Sequence, residues 1–273
     1  MKQKNGLRVL LGPFIILIIS FFIYFIRYPL WQYFTAVEPI FGMLILSYLI
    51  VLIIALLLLK KDSKKSLSSV FSNCNSRIIL IGVLFGLIYL GLWYSISFIL
   101  GSKFEFTSST ILRDYGTYTF HSLPLAFTLS LTFSVFGAFA EEIAYRGYIQ
   151  TRISSRYGYV IGIIFSALFF SLQHIHIFET SWLIQFFQTQ LLHVLLFGMF
   201  GGYLFFKSKE NIWSIFSMHA ILNAFSVSVP IVVTPTFEFA YHVAETVSFV
   251  TLIMLLHFFP RRWIGIPKSE KKD

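Results

Sequence analysis

Three short stretches of this chain set proton-transferring and charge-holding groups inside otherwise apolar sequence. The first is AFAEEIAYRGY, with Glu141, Glu142, Tyr145 and Arg146; the second is FFSLQH, ending in His174; the third is SMHAILNAF, with His219 and Asn223. Ionised side chains in hydrocarbon cost about 2.5 to 3.5 kcal/mol each on insertion scales, so a carboxylate placed there calls for a function or a partner. On a helix, residues four apart share a face, so Glu142 can pair with Arg146 while Glu141 turns toward the side that Tyr145 shares. One carboxylate is then neutralised and the other is left to accept a proton. His219 and Asn223 are also four apart and project from one stripe, where neutral donors can meet a developing oxyanion. The same residues admit plainer readings: a salt bridge that tolerates burial, and a His and an Asn that hydrogen-bond neighbouring helices.

The elements that carry these groups follow from composition. Of 273 residues, 57% are hydrophobic and 12% charged, against about 25% charged in soluble domains; the mean hydropathy is +0.78. The expected fold is all-α, a polytopic integral membrane helical bundle. About eight transmembrane helices are read from the apolar runs: Val9 to Ile26, Pro39 to Leu59, Ile78 to Leu100, Leu123 to about Gln150, Val160 to about Gln173, Ile184 to Phe206, Ile212 to Val233 and Val243 to Phe259. The stretch from Tyr145 to Arg156 is expected to be an amphipathic extension at the membrane interface. With the N-terminus inside, all of the 21 lysines and arginines except Arg27, Lys103 and Arg113 fall on the cytoplasmic side, as the positive-inside rule requires. Both termini are therefore expected to be cytoplasmic, in a multi-pass protein of the cell membrane.

Contact with the anionic leaflet accounts for the formal net charge of +9, so the lipid bilayer is the expected partner and nucleic acid is not. The basic start before the first span is read as leading into a retained helix, since no small-residue cleavage site follows it. Cys74 is the sole cysteine, which excludes an intrachain disulfide and a thiolate cluster. No GxSG is present, and Asp62, Asp114 and Asp273 all lie outside the spans, against serine and aspartyl intramembrane proteases. His193 sits mid-span without a partner three or four residues away. His176 could replace His174 as a ligand, while His121, His242 and His257, near span ends, and Glu179, Glu238 and Glu245, in or beside outer loops, are read as solvated.

Taken together the three segments resemble the CAAX-processing and bacteriocin-processing intramembrane proteases, the Abi family, through EExxxR at Glu141 to Arg146, FxxxH at Phe170 to His174 and HxxxN at His219 to Asn223. The resemblance covers the C-terminal half and divides the chain into N-terminal membrane helices (1–120), a protease-like core (121–259) and a basic cytoplasmic tail (260–273). It implies an endopeptidase acting on a hydrophobic or prenylated membrane-associated peptide or protein at a site opening toward the cytoplasm. Glu141 and His174 would activate water, His219 and Asn223 would hold the carbonyl and its oxyanion, and Glu142 with Arg146 would support them. Zinc stays open as a cofactor: Glu141, His174 and His219 would be its ligands. The missing HExxH and the poor ligand Asn223 favour a metal-free Glu/His mechanism. The alternative is a non-catalytic bacteriocin-immunity or scaffold protein of the same fold.

Overall fold

The computed structural model describes residues 6–31, 37–62, 71, 74–101, 103–104, 110–113, 116–119, 123–175, 183–184, 186–228, 231–232 and 238–260. Each expected apolar run contains a helix: α1 (Gly6–Trp31), α2 (Val37–Asp62), α3 (Ser76–Ile99), α4 (Leu123–Glu142), α5 (Thr151–Tyr157), α6 (Tyr159–Leu172), α7 (Leu191–Lys207), α8 (Ile212–Ser228) and α9 (Glu238–Phe258). Asn75 caps α3, its side chain accepting from the Ile78 amide at 3.0 Å and satisfying one of the orphan donors at a helix start. One apolar core runs through the bundle, from Ile16 and Leu17 of α1 past Phe85 and Tyr89 of α3 to Leu252 and Leu256 of α9.

Many large apolar side chains instead face outward, among them Leu11, Ile18, Leu46, Leu57, Leu80, Val160, Leu192 and Met254. Water would penalise such a surface, whereas lipid requires it. Two helical stretches, Gly42–Asp62 and Ser76–Ile99, are long and apolar enough to cross a bilayer among the described residues.

The fourth expected span departs from a plain α-helix. After Glu142 the chain widens into a π-helical segment, Ile143–Gln150, continues as α5, and breaks at Gly158 before α6. Gly158 has φ +86°, a left-handed conformation that glycine adopts without steric cost. Every residue from Ile143 to Gln150 is buried, which corrects the expectation of an interfacial extension over Tyr145 to Gln150; of the remainder to Arg156, only Ile153 is buried. The reason is tertiary. Gln150 donates to the Gly202 carbonyl of α7 at 2.9 Å and Arg146 reaches the Gly198 carbonyl at 3.4 Å; a Cβ would stand 2.7 Å from Arg146 Nη2 at Gly201 and 2.8 Å from Gln150 Oε1 at Gly202, so these glycines make room for the two side chains.

Further ties hold this segment. Tyr148 Oη donates to Asp62 Oδ2 at 2.6 Å, Arg152 pairs with the same carboxylate at 2.9 Å, and Arg152 Nε donates to the Val9 carbonyl at 2.9 Å. The starts of α1 and α5 and the end of α2 are thus drawn together.

Two short antiparallel ladders supplement the helices and have no counterpart in the sequence reading. β1 (Lys103–Phe104) pairs with β4 (Ile231–Val232), and β2 (Thr110–Arg113) pairs with β3 (Gly116–Thr119). The seventh span accordingly ends as helix at Ser228 rather than Val233.

Helix α3 lies close enough to α8 that Ser217 Oγ donates to the Ile79 carbonyl at 3.0 Å. A Cβ on Gly82 would stand 1.9 Å from the Ser214 carbonyl oxygen, a backbone atom that cannot move without shifting α8. Gly82→Ala is expected to destabilise the protein by about 1–3 kcal/mol, the usual range for overpacking, measured as a lowered thermal midpoint in detergent; an unchanged midpoint would contradict this packing.

Candidate active site

The site is assembled from three helical regions whose apolar surroundings bring the polar groups into contact with one another and with a few backbone carbonyls. Glu142 is fully buried, and its Oε1 accepts from Arg146 Nη1 at 3.1 Å, the pair that the four-residue spacing anticipates. Arg146 is itself fully buried, with its guanidinium 4.6 Å from the Phe170 ring and 5.6 Å from the Phe197 ring. Aromatic faces favour a desolvated cation. The same Glu142 Oε1 also accepts from His219 Nδ1 at 2.7 Å.

His219 has a second carboxylate partner, because its Nε2 lies 3.5 Å from Glu141 Oε2. One imidazole on α8 therefore bridges both glutamates of the first motif. Helical spacing had set His219 beside Asn223 and Glu142 beside Arg146, and the family resemblance had grouped His219 with Glu141; the contact of His219 with Glu142 was not anticipated. With Nδ1 donating to Glu142, Nε2 carries a proton only in the imidazolium form.

Glu141 is buried, and its other oxygen, Oε1, accepts from Gln173 Nε2 at 3.1 Å; Gln173 Oε1 accepts in turn from Tyr145 Oη at 2.7 Å. Gln173 escaped the sequence reading, although it stands directly before His174. The shared face of Glu141 and Tyr145 is thus realised through this amide, which holds one carboxylate oxygen and leaves the other toward His219.

His174 follows the end of α6. Its Nδ1 lies 2.8 Å from the Phe170 carbonyl, and its ring is 4.9 Å from that of Phe170. Phe170 also contacts Tyr145, Phe197 and His219, with ring centroids at 5.3, 5.5 and 6.0 Å. The Phe of the second motif is therefore the apolar hub around which the motif side chains are arranged.

His174, His219 and Asn223 line one cavity of about 180 Å³, together with Tyr89, Trp93, Phe170, Phe197 and Phe249; Glu141 is not a lining residue and meets the wall through His219, 3.5 Å away. His193 and Glu245 line it as well. Both had been set aside, and for Glu245 the structure overturns that reading: it is buried, not solvated, with His193 Nδ1 at 3.2 Å and His242 Nδ1 at 3.1 Å from its two oxygens. A signal was present, since Glu245 falls inside the eighth apolar run. His257 is exposed, as a span-end imidazole should be. His121, His176 and Glu179 lie outside the described residues, and so does the Glu238 side chain.

Among the described residues no three His, Cys, Asp or Glu side chains form a metal-ligand set. In the conditional zinc triad Glu142 and the Phe170 carbonyl engage the Nδ1 atoms of His219 and His174, an arrangement that would orient each ring for ligation through Nε2, but Glu141, His174 and His219 are not gathered on one point. Ligation needs deprotonated donors converging at about 2.0–2.2 Å on one point, so the present arrangement does not fit a zinc centre.

Residues 123–225 match a family model described as type II CAAX prenyl endopeptidase Rce1-like. The match begins at the first residue of α4, ends within α8 and includes Glu141, Glu142, Arg146, His174, His219 and Asn223, so it supports the CAAX protease family that the three motifs resemble. The family is one of membrane proteases. No curated protein matches the chain.

Proposed function

From the family match and the site geometry, we propose that this protein is an intramembrane endopeptidase that hydrolyses a hydrophobic or prenylated membrane-associated peptide or protein. The observation that carries the reading is that the second and third motifs line one cavity walled by aromatic side chains, through Phe170, His174, His219 and Asn223, while His219 ties both glutamates of the first motif to that wall. Such a cavity suits an apolar substrate with a few convergent polar groups to orient it.

In the proposed mechanism Glu141 takes a proton from water that His174 orients, and the water oxygen adds to the scissile carbonyl. His219, through Nε2, and Asn223 donate to the oxyanion as it forms. Glu142 fixes the His219 ring through Nδ1, so the donor is aimed before substrate arrives. At 3.5 Å the Nε2 contact with Glu141 is long, and an entering carbonyl takes it over, releasing Glu141 to the water.

The topology belongs to the same proposal: eight membrane spans, both termini cytoplasmic, the helices of residues 1–120 bracing the core of 121–259. Segments assigned to one side of the membrane meet in space. Val9, Asp62 and Arg152 are joined at the cytoplasmic end, where Lys207 Nζ also donates to the Phe259 carbonyl at 3.3 Å. The ladder between Lys103–Phe104 and Ile231–Val232 joins a loop assigned to the outer side to the outer end of the expected seventh span.

The test is cleavage by the purified chain of a library of prenylated and hydrophobic peptides in detergent, read by mass spectrometry with and without a zinc chelator. Cleavage that persists with chelator is expected. Peptide binding without any cleavage would favour the immunity or scaffold reading. His219→Gln is expected to lower kcat about 10²–10³-fold, the usual cost of an oxyanion donor, with KM little changed, because an amide can still donate to Glu142.

A further inference from the structure

On the cavity wall away from the three motifs stands a second acid–imidazole group. His193 of α7 lines the cavity with its side chain 31% exposed, and its Nδ1 lies 3.2 Å from Glu245 Oε1 of α9. That is charge-pairing distance, although the geometry is off-line for a hydrogen bond. The other Glu245 oxygen lies 3.1 Å from His242 Nδ1, in hydrogen-bonding geometry. Ring contacts link the two walls: His193 to Phe249 at 5.3 Å, Phe249 to Phe197 at 6.1 Å and Phe197 to His219 at 4.7 Å. Glu245 and His242 lie beyond residues 123–225, outside the family match.

A buried carboxylate in an apolar helix is costly unless it serves the charge state of a neighbour. Peptide hydrolysis supplies such a need. Amide nitrogen does not depart as an anion, so its bond to carbon breaks only as the nitrogen gains a proton. Glu141 and His174 are occupied with the water, and His219 and Asn223 with the oxyanion. His193 is on the cavity wall, within reach of a substrate held there.

We infer that His193, held and charge-balanced by Glu245, is the general acid that protonates the departing amine, with His242 positioning Glu245. This rests on the hydrolase reading above. In balance, water forms the new C–O bond and gives one proton to Glu141. The C–N bond then breaks as the His193 imidazolium gives its proton to nitrogen, leaving a carboxylic acid, an amine, protonated Glu141 and neutral His193. Glu141 returns its proton to solvent and His193 takes one up, so the net reaction is addition of one water.

The test compares a peptide that the wild type cleaves, drawn from the library above, with its depsipeptide carrying an ester at the scissile bond. An alkoxide leaves without full protonation far more readily than an amine. His193→Gln is expected to lose about 10²–10⁴-fold on the amide, the usual contribution of a general acid, and less than about 10-fold on the ester. Glu245→Gln is expected to change the amide-to-ester ratio in the same sense by a smaller factor, and carries the test if His193→Gln fails to fold. Equal losses on both bonds would mean a packing or binding role and overturn the assignment, as would an unchanged amide rate. Loss of cleavage in Glu141→Gln with full amide cleavage in His193→Gln would remove this inference alone, whereas no cleavage of either bond by the wild type would remove the hydrolase reading with it.

Discussion

Replacing Glu141 by Gln is expected to lower peptide cleavage by about 10²–10⁴-fold, the contribution of a general base, while the thermal midpoint in detergent stays near that of the wild type. The substitution is close to isosteric. Its carbonyl can still accept from Gln173 Nε2, which holds Glu141 Oε1 at 3.1 Å, so the chain from Tyr145 through Gln173 survives. What is lost is the proton acceptor beside His219. Parallel activity and melting measurements separate the two effects, and a variant that cleaves at the wild-type rate would remove Glu141 from the mechanism.

Arg146→Met should act in the opposite way, on stability first. Arg146 and Glu142 are both fully buried, and breaking a buried pair by removing one partner costs about 3–5 kcal/mol because the remaining charge stays in a low-dielectric site. Among the described residues His219 Nδ1 would then be the remaining donor to Glu142, and the Gly198 carbonyl would lose its contact. Adding Glu142→Gln removes the stranded charge, and the double variant is expected to recover at least half of the lost stability, since buried ion pairs replaced by neutral groups are often tolerated. Unfolding of the two single variants and the double variant completes the cycle. A double variant no more stable than Arg146→Met would show that packing of Arg146 on Phe170 and Phe197, not charge pairing, dominates.

What could be read from the sequence is what local spacing dictates. Apolar runs gave the helices, since a bilayer-length run has few other conformations open to it. The Glu142–Arg146 pair could be foreseen because four residues bring side chains to one helical face. The bridging of both glutamates by His219 could not, because it depends on how α8 meets α4, and the pairing of Lys103–Phe104 with Ile231–Val232 joins segments far apart in the chain. Burial of Arg146 was hidden for the same reason: the carbonyl it reaches and the space it fills lie at Gly198 and Gly201 of α7. Glu245 shows the limit most clearly. It was placed with the outer loops by proximity, although its own apolar run enclosed it, and its neighbour His193 lies on another helix.

The measurement that bears most directly on the central claim is cleavage of a hydrophobic or prenylated peptide by the purified protein in ¹⁸O-labelled water, with hydroxylamine present. The account predicts one labelled oxygen in the new C-terminal carboxyl group and no hydroxamate, because water activated at Glu141 attacks the carbonyl directly. A hydroxamate at the cleavage site would reveal a covalent acyl intermediate and contradict the mechanism; a peptide that binds and is recovered intact would contradict the enzyme.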